Sequence, residues 1–189
     1  MVMDNPVKIS GSELLNPNYL LKEILGLPSG STVADLGCGS MGFFTLEAAK
    51  LVGDKGQVFA CDILKEVLSS VEGKARQEGL TNIKTVWTNL EIVGATKINR
   101  QVDYVILKNT LFQSKKQAEI FMEAFRLLKN DGKLLFIEWQ MSSGPIGPAQ
   151  EIRVPKETAE QLAAQAGFVK EKDFVAGNSH YGIIFDKPL

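Results

Sequence analysis

Val33-Ala34-Asp35-Leu36-Gly37-Cys38-Gly39-Ser40-Met41-Gly42 decides how the chain is to be read. An apolar run ends in a carboxylate, three glycines follow at i, i+2 and i+5, and Phe43–Val52 continues with helical periodicity. A strand that runs through a glycine turn into a helix start makes a ligand cradle. Glycines let a ligand approach the backbone, and the helix N-terminus offers unpaired N–H groups. Downstream, Gln57–Cys61 reads as a second strand ending at Asp62, about 20 residues beyond the last glycine. A carboxylate placed there can accept two hydrogen bonds from a ribose diol. Together the two features predict a nucleoside-containing cofactor at the carboxyl ends of the strands.

The same alternation continues outward. Leu64, Val67, Leu68, Val71 and Ala75 form a helical stripe closed by Gly79, and Ile83–Trp87 and Val102–Leu107 are apolar runs of strand length. Ile120, Ala124, Phe125 and Leu128 mark a helix ending at the Asn130-Asp131-Gly132 turn, and Lys133–Trp139 is a fifth strand. Gly144–Pro148 is a breaker-rich loop suited to substrate selection, and Lys156–Ala166 is a helix stopped by Gly167. Phe168–Ala176 and Tyr181–Asp186 flank Gly177-Asn178-Ser179 as a terminal hairpin. Strands alternating with helices predict an α/β fold with a mainly parallel sheet. Ahead of it, Asn16-Pro17 caps a lead-in helix whose face is Leu20, Leu21, Ile24 and Leu25. Residues 1–30 thus read as a lead-in or lid, and 31–189 as the cofactor-binding domain.

Composition narrows the function. The 189 residues carry 21 Lys+Arg and 22 Asp+Glu, a formal charge of −1, without the basic surplus that a phosphate backbone favours. A nucleic-acid acceptor is therefore disfavoured. Two cysteines, Cys38 and Cys61, and one histidine, His180, suffice for neither a disulfide framework nor a protein-held zinc. No apolar run approaches the ~20 residues of a membrane span, and Met1–Pro6 lack a signal-peptide core. A soluble, cytoplasmic protein is expected.

Gly37-x-Gly39-x-x-Gly42 matches the dinucleotide fingerprint taken literally. Asp35, however, sits two residues before the first glycine, where it would face a pyrophosphate. An anion there suits the ammonium and sulfonium region of S-adenosylmethionine instead. From Val33 to Gly39 the chain is very similar to the first motif of the class I S-adenosylmethionine-dependent methyltransferases. Val58–Ile63 resembles that family's second motif, Asp103–Asn109 its fourth-strand motif, and Leu127–Leu135 its segment before the fifth strand. Phe168…Phe185 resembles its reversed hairpin. The likeness is greatest to the small quinone-biosynthesis-like, type 11 members. Where they carry a further glycine, this chain has Met41 followed by Gly42.

The resemblance implies a doubly wound, seven-stranded, mostly parallel sheet of order 3-2-1-4-5-7-6, with an antiparallel terminal hairpin and helices on both faces. It implies that Asp35, Gly37, Cys38 and Gly39 hold the methionine part of the cofactor. Asp62 would take the ribose, Ile63, Asn89 and Leu90 the adenine, and Lys108 or Asn109 the methionine end. The acceptor residues implied are Tyr19, Phe112, Gln113, Glu138, Trp139 and Tyr181, and His180 is the candidate general base. The expected reaction is methyl transfer to a small or medium acceptor, driven mainly by proximity. Two cysteines in cofactor-strand positions argue against an arsenic acceptor. Asn109-Thr110-Leu111-Phe112 lacks the Asn-Pro-Pro-aromatic motif of amino-methylating nucleic-acid enzymes. A silent cofactor-binding subunit or sensor and an NAD(P)-dependent oxidoreductase are the alternatives, and either a monomer or a homodimer is compatible.

Overall fold

The computed structural model describes residues 15–141 and 146–189. Part of the lead-in and the start of the Gly144–Pro148 loop lie outside the described residues. Strands β1 (Thr32–Leu36), β2 (Gln57–Asp62), β3 (Ile83–Trp87), β4 (Val102–Lys108), β5 (Leu128–Trp139), β6 (Val169–Val175) and β7 (His180–Asp186) form one sheet of order β3-β2-β1-β4-β5-β7-β6. All neighbours are parallel except β7, which pairs antiparallel with β5 and β6. The helices are α1 (Pro17–Tyr19, continuing as a π-helical stretch through Ile24), α2 (Phe43–Val52), α3 (Lys65–Gln77), α4 (Gln117–Leu127) and α5 (Lys156–Ala166). The fold is the one the family resemblance implies.

The strand period of two sorts the apolar residues onto two faces. Ala34, Leu36, Val105 and Leu107 pack with α4 and α5 around the rings of Phe121, Phe136, Phe168 and Phe185. Val33 and Ile106 point the other way, onto Leu20 and Leu21 of α1 and Phe44, Ala48 and Val52 of α2. β1 and the centre of β4 are buried on both faces, so Val33-Ala34 and Val105-Ile106-Leu107 follow one another without polar alternation.

Two local readings need correction. β5 begins at Leu128, not Lys133, because Leu128 already pairs with Val102 and the register shifts between Val102 and Tyr104. The Asn130-Asp131-Gly132 turn is absorbed as an irregularity inside this long strand. Asp131 takes φ 61° and is pinned by its N–H to the Lys187 carbonyl. The lead-in helix also departs from the α form after three residues, and Leu25 N–H reaches the Leu20 carbonyl. At the glycine turn, the left-handed conformation falls on Gly42, whose φ is 60°, and Met41 is turned outward.

Candidate cofactor and acceptor site

The parallel strands end together beside the β1–α2 turn. Gly37 and Cys38 donate their N–H groups to the Cys61 carbonyl, tying the turn to β2. Gly37 has φ 74°, and a Cβ there would sit 2.6 Å from Thr110 Oγ1. Only glycine lets the β1 turn and the β4 turn come this close. Gly39, φ 70°, has open space where its Cβ would be, and its N–H reaches Asp62 Oδ2 at 3.3 Å. Asp62 Oδ1 accepts from Leu64 N–H at 3.0 Å, so this carboxylate is oriented by backbone donors on both sides.

A cavity of about 460 Å³ opens here. Seven of the ten residues expected to bind a cofactor line it: Gly37, Gly39, Asp62, Ile63, Asn89, Leu90 and Asn109. Asp35, Cys38 and Lys108 stand behind the wall. Asp35 is fully buried, accepts from Thr45 Oγ1 at 2.6 Å, and leaves Oδ1 without a hydrogen-bond partner. Lys108 Nζ donates to the Cys38 carbonyl at 3.3 Å and lies over the Phe44 ring. Cys38 and Cys61 are free and buried, and burial pushes both thiols far up, so neither is a nucleophile at neutral pH.

The loop after β3 is held from a distance. Glu123 on α4 is buried, and its two oxygens accept from Gly94 N–H at 2.7 Å and Thr96 N–H at 2.8 Å. Arg126 supplies a two-point ion pair. These bonds outweigh burial and hold the Glu123 carboxyl at about 2. Sequence reasoning missed this clamp. Its one signal was an acid three residues before an arginine on an otherwise apolar helix face.

The acceptor candidates divide. Gln113 lines the cavity. Phe112, with Gln113, borders a second cavity of about 360 Å³ between the β4 turn and the segment before α5. Glu138 is completely buried and accepts from Leu111 N–H at 3.1 Å and Trp139 N–H at 3.0 Å. It holds the β4 turn in shape and does not line the cavity. Burial pushes its carboxyl up to about 7. Tyr181 also turns away, donating its hydroxyl to the Val154 carbonyl in the core. Tyr19 packs against the α1–α2 core. His180 is 1% exposed, stacks on Trp139 with ring centroids 4.0 Å apart, and places Nε2 3.1 Å from Asn109 Nδ2. Burial, with Arg153 nearby, lowers its pKa to about 4. It is therefore neutral at pH 7, and it does not line the cavity. Unforeseen from sequence as site residues, Leu64, Val67, Thr88, Glu91, Thr110, Ser114 and Ile120 complete the cavity wall.

A family model for the methyltransferase domain matches residues 27–180. The chain belongs to that family. A structure of an S-adenosylmethionine-dependent methyltransferase from Aquifex aeolicus superposes with a TM-score of 0.82 at 26% identity, covering 97% of this chain and 94% of that one. The ubiquinone/menaquinone biosynthesis C-methyltransferase of Yersinia pestis is 29% identical over 115 residues, 60% of this chain and 45% of that protein. A demethylmenaquinone methyltransferase from Geobacillus is 25% identical over 114 residues, 60% of this chain and 47% of that protein. The matched region thus spans about half the length of these two relatives. S-adenosylmethionine is the cofactor of the methyltransferase family, and the cavity suits it. Its wall carries an acid, Asp62, and two glycines, Gly37 and Gly39, that open the backbone, and just behind it an Asp35 carboxylate oxygen is buried without a partner. Among the described residues no group of acids, histidines and cysteines could hold a metal, and no helix is long and apolar enough to cross a membrane.

Proposed function

We propose that this chain transfers a methyl group from S-adenosylmethionine to a small or medium acceptor, mainly through alignment. The observation that carries this reading is the cavity that gathers Gly37, Gly39, Asp62, Ile63, Asn89, Leu90 and Asn109 at the strand ends. Asp62 would accept from the ribose hydroxyls. Ile63 and Leu90 would flank the adenine, and the Asn89 side chain would meet its edge. Gly37 and Gly39 would present backbone to the methionine portion, with Asp35 behind them and Asn109 at the far end. When bound, the cofactor supplies a sulfonium methyl that is already electrophilic. The protein holds the acceptor in line with it, which can be worth ~7–11 kcal/mol. The titratable side chains on the cavity wall are Asp62 and Glu91. Asp62 is taken up by backbone donors and Glu91 by the Ser114 hydroxyl at 2.6 Å, so neither is placed as a general base.

The two relatives are quinone-biosynthesis methyltransferases, so an electron-rich hydroxylated ring is the first acceptor class to assay. Residues 31–189 are assigned as the methyltransferase domain and 1–30 as its lead-in. The setting inferred is cytoplasmic, with the protein acting as a monomer or homodimer. Calorimetric titration with S-adenosylhomocysteine, with NAD as control, tests the cofactor assignment. Micromolar binding of the first and none of the second is expected, and binding of NAD alone would overturn it. A turnover assay for released S-adenosylhomocysteine with hydroxylated naphthalenes and benzenes then separates an enzyme from a silent cofactor-binding subunit.

A further inference from the structure

Thr88, Asn89, Leu90 and Glu91 line the cavity one after another. They open a loop that leaves β3 and returns at Thr96, whose buried hydroxyl lies 3.1 Å from that of Thr88. Between these ends the backbone turns twice, with Ile92 N–H on the Asn89 carbonyl and Ala95 N–H on the Ile92 carbonyl. Inside the first turn Asn89 Oδ1 accepts from Glu91 N–H at 2.9 Å. These bonds give the loop its shape. Its place in the molecule is set by others. Thr88 N–H fixes the start on the Asp62 carbonyl, and the Ser114 hydroxyl ties Glu91 from a residue that itself lines the cavity. The far end is fixed by Glu123.

Glu123 stands one turn beyond Ile120 on α4, and Ile120 lines the cavity whereas Glu123 does not. Its two oxygens serve two different loop amides, Gly94 and Thr96, and Arg126 Nη2 adds a bond to the Thr96 carbonyl at 3.0 Å. A carboxylate suits this task because it accepts at both ends. A glutamine of the same shape would accept at one end and press an NH2 group against an N–H at the other. Thr96 is 1% exposed, so an amide released there meets no water, and the loop must shift to satisfy it. Gly94, at φ 87°, gives the backbone freedom to shift. The displacement passes to the cavity wall through the Thr88–Thr96 hydroxyl pair and the two turns.

We propose that Glu123 is a positioning residue for the cofactor: from outside the cavity it fixes where residues 88–91 stand, and so sets the affinity for the nucleoside half of S-adenosylmethionine. The proposal rests on the methyltransferase reading, which gives Asn89 and Leu90 to the adenine.

The test titrates folded protein, well below its unfolding midpoint, with S-adenosylhomocysteine and with adenosine, which carries the nucleoside half alone. Glu123→Gln should weaken both ligands at least about fivefold and by similar factors. Thr96→Val keeps the backbone amide and removes the hydroxyl that meets Thr88; it should weaken both about two- to threefold. The double variant should be no weaker than Glu123→Gln by more than about twofold, since the two changes act along one route. Phe185→Leu serves as the stability control. It opens the ring cluster where β7 pairs with Leu134, away from the strand ends, and should lower stability while leaving both affinities within about twofold. Unchanged affinities in folded Glu123→Gln overturn the proposal, and should that variant not fold, unchanged affinities in Thr96→Val do so. Loss of S-adenosylhomocysteine without loss of adenosine overturns the assignment to the nucleoside half. A loss in Phe185→Leu equal to that in Glu123→Gln would show that affinity merely follows stability, and overturns the positioning role. Failure of the wild type to bind S-adenosylhomocysteine would remove the underlying methyltransferase reading instead.

Discussion

Glu138 and His180 are buried within one strand pair, and their pKa values move in opposite directions. Glu138 rises from 4.5 to about 7, because burial disfavours its charged form. Between those values the native state binds more protons than the unfolded chain, so stability falls as pH rises. At about 1.4 kcal/mol for each pH unit, the loss is about 3 kcal/mol by pH 7. His180 falls from 6.5 to about 4, again through burial. Between those values the unfolded chain binds more protons, so stability rises with pH by about 3 kcal/mol. The two windows overlap almost completely, and their contributions cancel. Wild-type stability should therefore vary little between pH 4.5 and 6.5, although two buried groups titrate there. Each substitution exposes the other group. Glu138→Gln should become more stable as pH rises through this window, and His180→Gln less stable. Urea unfolding at half-unit pH steps, with free energies extrapolated to zero denaturant, measures both slopes. Profiles of Glu138→Gln and wild type that run parallel would refute the reasoning, because Glu138 would then titrate like an exposed carboxylate.

Other consequences are more direct. Asp62→Ala should weaken S-adenosylhomocysteine binding at least about tenfold by calorimetry, since it removes the carboxylate that Gly39 and Leu64 orient. Gly37→Ala should destabilise the fold by about 1–2 kcal/mol from its φ of 74° alone. It should also weaken cofactor binding, because the new methyl meets Thr110 Oγ1; thermal unfolding and calorimetry read the two effects. Glu123→Gln breaks a buried acceptor for two loop amides and an arginine and should cost about 2–4 kcal/mol in urea unfolding. In the wild type, the stability from Glu123 should be lost as pH falls from 4.5 to about 2, because its native carboxyl is held low.

The readable parts of this molecule were those governed by local chemistry. Glycines at 37, 39 and 42, an acid closing each of the first two strands, and apolar runs for the central strands all report on nearby backbone, and each falls where expected. Position 128 was misread because a turn signature at Asn130-Asp131-Gly132 competes with a pairing to Val102, and the pairing wins through contacts far apart in sequence. Glu138 and Tyr181 share a similar cause. At strand ends, alternation does not tell a side chain that faces a cavity from one that closes over a backbone turn, and both are spent on backbone groups. His180 begins β7. Its burial under Trp139 depends on a residue 41 positions earlier in the chain, which no local pattern records.

The antiparallel entry of β7 has a further consequence for the order in which the molecule is made. Every residue on the cavity wall has been synthesised by Ile120, whereas the partner of Asn109 arrives 71 residues after Asn109 itself. The strand carrying it must slip between β5 and β6, the latter being only just complete. A ribosome-bound chain thus holds all the wall's residues before it holds the group that fixes Asn109. A premature stop late in the message would spare every residue that touches the cavity and still leave its far end unfinished.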